Sequence, residues 1–240
     1  MPVITNIEDL RQLARKRIPR ALFEFAESGS YDQLTRDANR DALNAIRFRQ
    51  RVLVDMTTVS LATTMLGEKV AMPLAIAPTG LTGLFHGDGE ILAARAAERA
   101  GIRYTLSTMS ICSIEDVRAA VHEPFWFQLH VFKDRGFSEE VVARVRAAGC
   151  TALFVTVDVP MRGQRHADTK NGLAVPPKLT WRNAFDVLTK PKWTAGVLAG
   201  KRKTFGNIDA YIKGKGKVAA SGSWINDNID PSLSWNDIAW

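Results

Sequence analysis

Cysteine, histidine and tyrosine are scarce in this 240-residue sequence, which has two, four and three of them. Cys112 and Cys150 form neither a CxxC pair nor a Cys/His spacing. That argues against a disulfide framework or a zinc site and for reduced packing thiols in a cytoplasmic setting, with no metal expected. No run of about 18 apolar residues occurs, and the start, Met1-Pro-Val-Ile-Thr-Asn6, has no basic region followed by an apolar stretch. Neither a spanning helix nor a secretory leader is supported. Gly-x-Ser-x-Gly and Gly-x-Gly-x-x-Gly behind a strand are also missing, which sets aside common hydrolase and NAD-binding signatures.

What is present is ordinary for a globular protein: 46% hydrophobic and 24% charged residues, enough for a substantial core. The charge is unevenly spread. From Lys178 to Lys217 ten basic residues face two acidic ones, a surplus of eight. The formal +7 of the chain therefore resides there, and the remainder is one unit negative. The charges alternate with Trp181, Phe185, Leu188, Trp193, Val197, Leu198, Phe205, Tyr211 and Ile212. This is the composition of a segment that lies on an anionic membrane surface, or of a solvated loop with anchoring aromatics. No recognition helix or RNA-binding motif accompanies the charge, so nucleic acid is not an expected partner.

Along the chain, residues 6 to about 44 read as helices, with Ile7, Leu10, Leu13 and Ala14 in one apolar stripe and Pro19 opening the next segment. Phe48–Val54 and Val59–Leu66 read as short strands. A β/α rhythm follows. Strands are expected at Leu74–Pro78, Arg103–Ser107, Phe125–Val131 and Ala152–Asp158. Helices are expected over Gly89–Ala100 (Ile91, Leu92 and Ala96 inward), from the capping-box start Ser113-Ile-Glu-Asp116, and over Ser138–Ala148. Crossovers of this length favour parallel pairing. The division expected is 1–70, a helical cap and short hairpin, and 71–240, the β/α part, with a long basic loop over 160–231 containing one helix near Arg182–Leu188. At the end, Ser232 or Ser234 could cap a helix with Leu233, Trp235, Ile238 and Trp240 on its apolar face. Nothing closes it, so the expectation is a chain that breaks off inside a β/α unit.

Parallel β/α folds place their working residues where strands end. Pro78-Thr79-Gly80 is such an end, either a plain strand–loop junction or a place where a flat ring lies close to bare main chain. Ser107, Gln128 and Thr156 bring neutral donors and acceptors to the next three strand ends, suited to the edge of a pyrimidine-like ring. Asp158 and Arg165 add a carboxylate and a guanidinium, the latter a natural clamp for a substrate carboxylate.

Ala77-Pro-Thr-Gly80, Leu106-Ser-Thr108, Trp126-Phe-Gln-Leu129, Thr156-Val-Asp158 and Gly163-Gln-Arg-His-Ala-Asp168 together resemble the FMN-dependent 2-hydroxy-acid oxidising family. The likeness runs from Ile18-Pro-Arg20 through Phe48-Arg-Gln-Arg51 to Phe205-Gly-Asn207 and Asp230-Pro-Ser-Leu-Ser-Trp235, the last two closest to the bacterial L-lactate dehydrogenase branch. The resemblance implies an FMN-type TIM (β/α)8 barrel, here ending after about four β/α units, behind an N-terminal helical cap. It implies oxidation of an L-2-hydroxy acid, with L-lactate to pyruvate the expected reaction. Pro78, Thr79 and Gly80 would pack near flavin N5, and Ser107, Gln128 and Thr156 would bind its polar edge. Arg165 would bind the substrate carboxylate, and Asp158 would support the catalytic histidine.

That histidine, the flavin-contacting lysine, a second carboxylate-binding arginine and the phosphate-binding loops come from the second half of such a barrel. His86, His122, His130 and His166 do not align with it. The family also has tyrosines that meet substrate where this chain has Phe25 and His130. The expectation is therefore an enzyme by family whose 240 residues alone are inactive. The alternative is a non-catalytic remnant that associates with itself or a partner, since half a barrel has two open edges. Related members that pass electrons to the respiratory chain attach to the membrane through the loop matching 178–217. The resemblance thus adds peripheral contact with the inner face of the cell membrane and, for the intact protein, a homo-oligomer.

Overall fold

The computed structural model describes residues 3–158, 163–173, 180–209, 211–212, 222, 224–225 and 227–238. Three helices open the chain: α1 (Ile7–Arg17), α2 (Arg20–Glu27) and α3 (Leu34–Ala45). The Asn6 side chain caps α1 by accepting from the Asp9 amide at 2.9 Å. Glu8 and Asp9 in its first turn and Arg15, Lys16 and Arg17 in its last match the helix dipole. Pro19 stands just before α2, where the amide it lacks is not needed. Arg11 clamps the two helices together by gripping Glu27 through Nε at 2.9 Å and Nη2 at 2.6 Å.

A hairpin follows, β1 (Thr63–Met65) antiparallel to β2 (Glu68–Val70), with Thr63 opposite Val70 and Met65 opposite Glu68. Its turn residues Leu66 and Gly67 both have positive φ, 49° and 82°, the two-residue geometry that matches strand twist. The two strands expected over 48–54 and 59–66 are thus corrected to one short hairpin at 63–70. Phe48, Val52, Leu53 and Val59 stand exposed with no ladder partner among the described residues. Apolar and β-branched residues become a strand only when a neighbour pairs with them.

The β/α rhythm is realised as a parallel sheet in the order β3 (Ala75–Ile76), β4 (Arg103–Ser107), β5 (Trp126–His130), β6 (Leu153–Thr156). The register sets Ile76 against Tyr104, Ser107 against Gln128, and His130 against Thr156. No closed barrel forms among the described residues; β3 and β6 are edges. Between strands run α4 (Thr82–Phe85), α5 (Gly89–Ala100), α6 (Ile114–Arg118) and α7 (Arg135–Ala147). The capping box at Ser113 is present: its hydroxyl accepts from the Asp116 amide at 3.1 Å, and the Asp116 carboxylate accepts from the Ser113 amide at 3.0 Å.

Leu106, Phe127 and Leu129 from the sheet meet Ile114, Val117, Phe137 and Val141 from the helices in one buried cluster. On α5 the inward residues are Ile91, Ala94 and Ala97; Leu92 and Ala96 face solvent, contrary to expectation. Cys112 and Cys150 are free thiols. Burial pushes both pKa values up, Cys150 to about 12, so both are inert packing groups.

The basic region holds more helix than expected. After α8 (His166–Lys170) come α9 (Trp181–Leu188) and a second helix missed from sequence, α10 (Pro191–Ala199), opened by a first-turn proline. Lys178, Lys213, Lys215, Lys217 and Trp240 lie outside the described residues. The expected terminal helix is a single 3-10 turn, Trp235–Ile238, whose Asp237 carboxylate accepts from the Ser234 hydroxyl at 2.8 Å.

Candidate functional site

The carboxyl ends of β3 to β6 gather eight of the expected residues. Beyond β3, Pro78 and Thr79 are exposed and Gly80 is half-buried. A side chain at Gly80 would place its Cβ 2.9 Å from that of Met109, and one at Gly83 would come within 2.6 Å of the Ile111 Cβ. Only glycine lets the loop after β3 close so tightly on the loop after β4. The Leu81 amide donates to the Met109 carbonyl at 2.9 Å. Below them lies Glu90, wholly buried in the first turn of α5. Its Oε1 accepts from the Gly83 amide at 3.1 Å and the Ile111 amide at 2.9 Å, tying the two loops to one carboxylate. Nothing in the sequence distinguishes Glu90 from an ordinary first-turn acid, and it was not anticipated.

Across the next three strand ends runs a polar ladder. The Met109 amide donates to Ser107 Oγ at 3.1 Å, and the Ser107 hydroxyl donates to Gln128 Oε1 at 2.8 Å. Gln128 Nε2 in turn donates to Thr156 Oγ1. The parallel register sets Ser107 opposite Gln128, and Thr156, opposite His130, lies two residues further along the same face, within reach of the Gln128 amide. Gln128 retains a second N–H and Thr156 its hydroxyl proton, both neutral donors at the strand ends. A second bridge lies beside the ladder: Thr108 donates to the Gln128 carbonyl at 2.7 Å and accepts from the His130 amide at 3.0 Å.

His130 is half-buried at the end of β5, and Asp158 is exposed beyond β6. Burial holds the His130 imidazole below its ordinary value of 6.5, while the negative charge of Asp158 pulls the other way. His130, expected at the substrate, and Asp158, expected to support the catalytic histidine, are thus electrostatic neighbours.

Arg165 and Phe25 are also together, in an arrangement not anticipated. The guanidinium lies 4.7 Å from the Phe25 ring centre. Its Nη2 donates to the Phe25 carbonyl, to the Ser28 carbonyl at 2.8 Å and to Ser28 Oγ at 3.1 Å. Its Nε stands 2.9 Å from Asp168 Oδ2. Arg165 therefore fastens the C-terminal end of α2 to the start of α8. His86 ends α4, His122 is a fully exposed neighbour of Glu98, and His166 begins α8 against Tyr31.

Bare main chain at 78–80 next to a row of neutral donors suits a flat heterocycle with a polar edge, so the residues present fit a flavin. The comparisons with known proteins agree. Residues 14–240 match the model of the FMN-dependent dehydrogenases, and the chain belongs to this FMN-dependent family. It is 44% identical to the L-lactate dehydrogenase of Vibrio parahaemolyticus serotype O3:K6 over 239 residues, covering 99% of this chain and 63% of that protein. The L-lactate dehydrogenase of Acinetobacter baylyi is 40% identical over the same share of this chain. Among solved structures, the monotopic membrane protein (S)-mandelate dehydrogenase superposes over the whole chain with a TM-score of 0.91 and 31% identity, covering 63% of that chain. A soluble mutant of the Pseudomonas putida enzyme superposes over 76% of this chain and 52% of its own, with a TM-score of 0.69 and 39% identity. The chain thus spans a little under two thirds of the curated relatives it matches.

Because the fold favours neutral His130, the stability this group contributes is complete above its ordinary pKa and is lost as the pH falls below it. In an NMR titration the His130 ring is expected to titrate below 6.5. Asp158→Asn is expected to move that midpoint lower still. An unchanged or higher midpoint in the variant would separate the two groups.

Proposed function

We propose that the protein oxidises an L-2-hydroxy acid to the 2-oxo acid, with L-lactate the expected substrate. The carrying observation is the Ser107–Gln128–Thr156 ladder beside the bare Pro78-Thr79-Gly80 strand end, supported by family membership. When bound, FMN supplies the acceptor for the two electrons the substrate loses. Gln128 and Thr156 would offer their remaining donors to its polar edge, and the main chain of 78–80 would lie along the ring. Ser107 orients Gln128 from behind.

In this reading Arg165 takes the substrate carboxylate while anchored to α2, so that substrate binding and the cap share one guanidinium. Phe25 forms an apolar wall where the family resemblance implies a phenol, and His130 replaces the other phenol with an imidazole hydrogen-bonding group. Asp158, exposed beyond β6, would steady the imidazolium that forms when a histidine takes the hydroxyl proton. None of His86, His122 and His166 reaches the ladder in a described contact. The reading therefore assigns that histidine to a region matching the relatives' remaining length.

The same family resemblance and the basic segment support peripheral attachment to an anionic membrane. Trp181, Phe185 and Leu188 occupy one face of α9 at helical spacing and are 91%, 70% and 77% exposed. Arg182, Lys190, Lys192, Lys201 and Lys203 are close to them in the sequence. The segment is docked from behind by Trp193 Nε1 donating to the Leu84 carbonyl and by Asp186 accepting from the Arg20 amide. That leaves the apolar face outward, the disposition of a helix lying in a lipid interface. No helix among the described residues is long and apolar enough to cross a membrane.

Anaerobic L-lactate is expected to bleach the flavin band of the FMN-loaded whole protein, with other L-2-hydroxy acids slower. A band that none of them bleaches would leave the non-catalytic, self-associating alternative, which the exposed Leu153 and Phe154 on the β6 edge favour. Flotation with phosphatidylglycerol vesicles should carry the protein upward. Replacing Trp181, Phe185 and Leu188 by serine should reduce the floated fraction several-fold. Equal flotation of both would remove the membrane assignment.

A further inference from the structure

Phe205-Gly206-Asn207 lies far along the chain from the strand ends, yet its asparagine is wholly buried among them. Both polar side-chain atoms of Asn207 and its carbonyl have partners. Its Oδ1 accepts from the Ile114 amide at 2.9 Å, so it sits at the start of α6. Its Nδ2 donates to Ser110 Oγ at 3.0 Å and to the Ser107 carbonyl at 3.3 Å. Its own carbonyl accepts from Arg144 Nη1 at 3.2 Å, and Arg144 at the same time grips Glu115 through Nε and Nη2, both at 2.8 Å.

Gly206 makes this insertion possible: a Cβ there would stand 2.6 Å from the Ser113 nitrogen and 2.7 Å from the Ile111 carbonyl oxygen. Phe205 and Ile208 on either side are buried in the main core cluster. Ahead of it, Arg202 bridges Asp88, just before α5, and Asp116 of α6, at 2.9 and 2.6 Å. Ser107 is held by Met109 and Gln128 through its hydroxyl and by Asn207 through its carbonyl.

We infer that Asn207 is a positioning residue for the flavin edge: its carboxamide holds the 107–110 turn so that Ser107 keeps Gln128, and through it Thr156, aimed out of the strand ends. The inference rests on the flavin reading above and adds to it a residue from outside the β/α units that carry the ladder. The carboxamide is required because the site needs an acceptor for Ile114 and a donor for Ser107 and Ser110 at once. An isosteric carboxylate keeps the first and loses the second.

The test compares the whole wild-type protein with Asn207→Asp and with Val121→Ala, a core truncation in the segment between α6 and β5. FMN affinity is read by quenching of flavin fluorescence, and amide hydrogen exchange over 107–111 is read without flavin. Asn207→Asp is expected to weaken FMN binding about tenfold, the loss of one or two buried hydrogen bonds. It should also speed exchange over 107–111, whereas Val121→Ala, at equal melting temperature, should do neither. Unchanged exchange at 107–111, or equal loss of FMN affinity in both variants, would overturn the assignment. Should Asn207→Asp fail to fold, Asn207→Ser is judged by the same two readings. If wild type takes up no FMN, the flavin reading falls, and so does Asn207 as a flavin-positioning residue. Faster exchange would then record only its hold on the turn.

Discussion

One buried carboxylate organises the working end of this protein. Glu90 accepts from the amides of Gly83 and Ile111, which belong to the loops leaving β3 and β4. A carboxylate this deep is costly unless it is hydrogen-bonded, and main-chain amides are rigid donors, so the arrangement fixes both loops against one helix. The bare strand end at 78–80 is presented beside Ser107 because of that bond and because Gly80 and Gly83 allow the approach.

From this fixed corner, order passes sideways. Ser107 hands its hydroxyl to Gln128, and Gln128 hands an amide proton to Thr156. The first rung follows the parallel register, which sets Ser107 opposite Gln128; the second runs diagonally, because Thr156 is opposite His130, two residues further along the same face. Such a ladder is neutral throughout and leaves unspent donors at its outer edge, a property that suits the carbonyl and imide edge of a flavin better than a phosphate or a metal. Arg165 lies beyond the last strand, and its binding to the end of α2 makes the N-terminal cap part of the same construction.

Much of this was legible in the sequence. The strands β4, β5 and β6, the helix over Gly89–Ala100 and the Ser113 capping box follow from local pattern, where propensity and burial agree. Ser107, Gln128 and Thr156 were readable as a set because strand ends in β/α folds converge. The failures have physical causes. Phe48–Val54 has strand composition but no pairing neighbour among the described residues, so composition misled. The helix α10 carries a weak amphipathic pattern, and only Pro191 at its start announces it. Glu90 and Asn207 were invisible as site residues because their roles depend on contacts across sequence separations that no local period encodes. Arg165 was recognised by type, but its hold on the carbonyls of Phe25 and Ser28 is a tertiary fact.

The central claim is that the ladder, rather than the fold in general, receives the flavin edge. The most direct measurement is the visible spectrum of the whole protein titrated with FMN, set against Gln128→Leu at matched thermal stability. The account predicts a structured, protein-bound flavin band for the wild type and a band indistinguishable from free FMN for the variant. An identical bound band in both would contradict it.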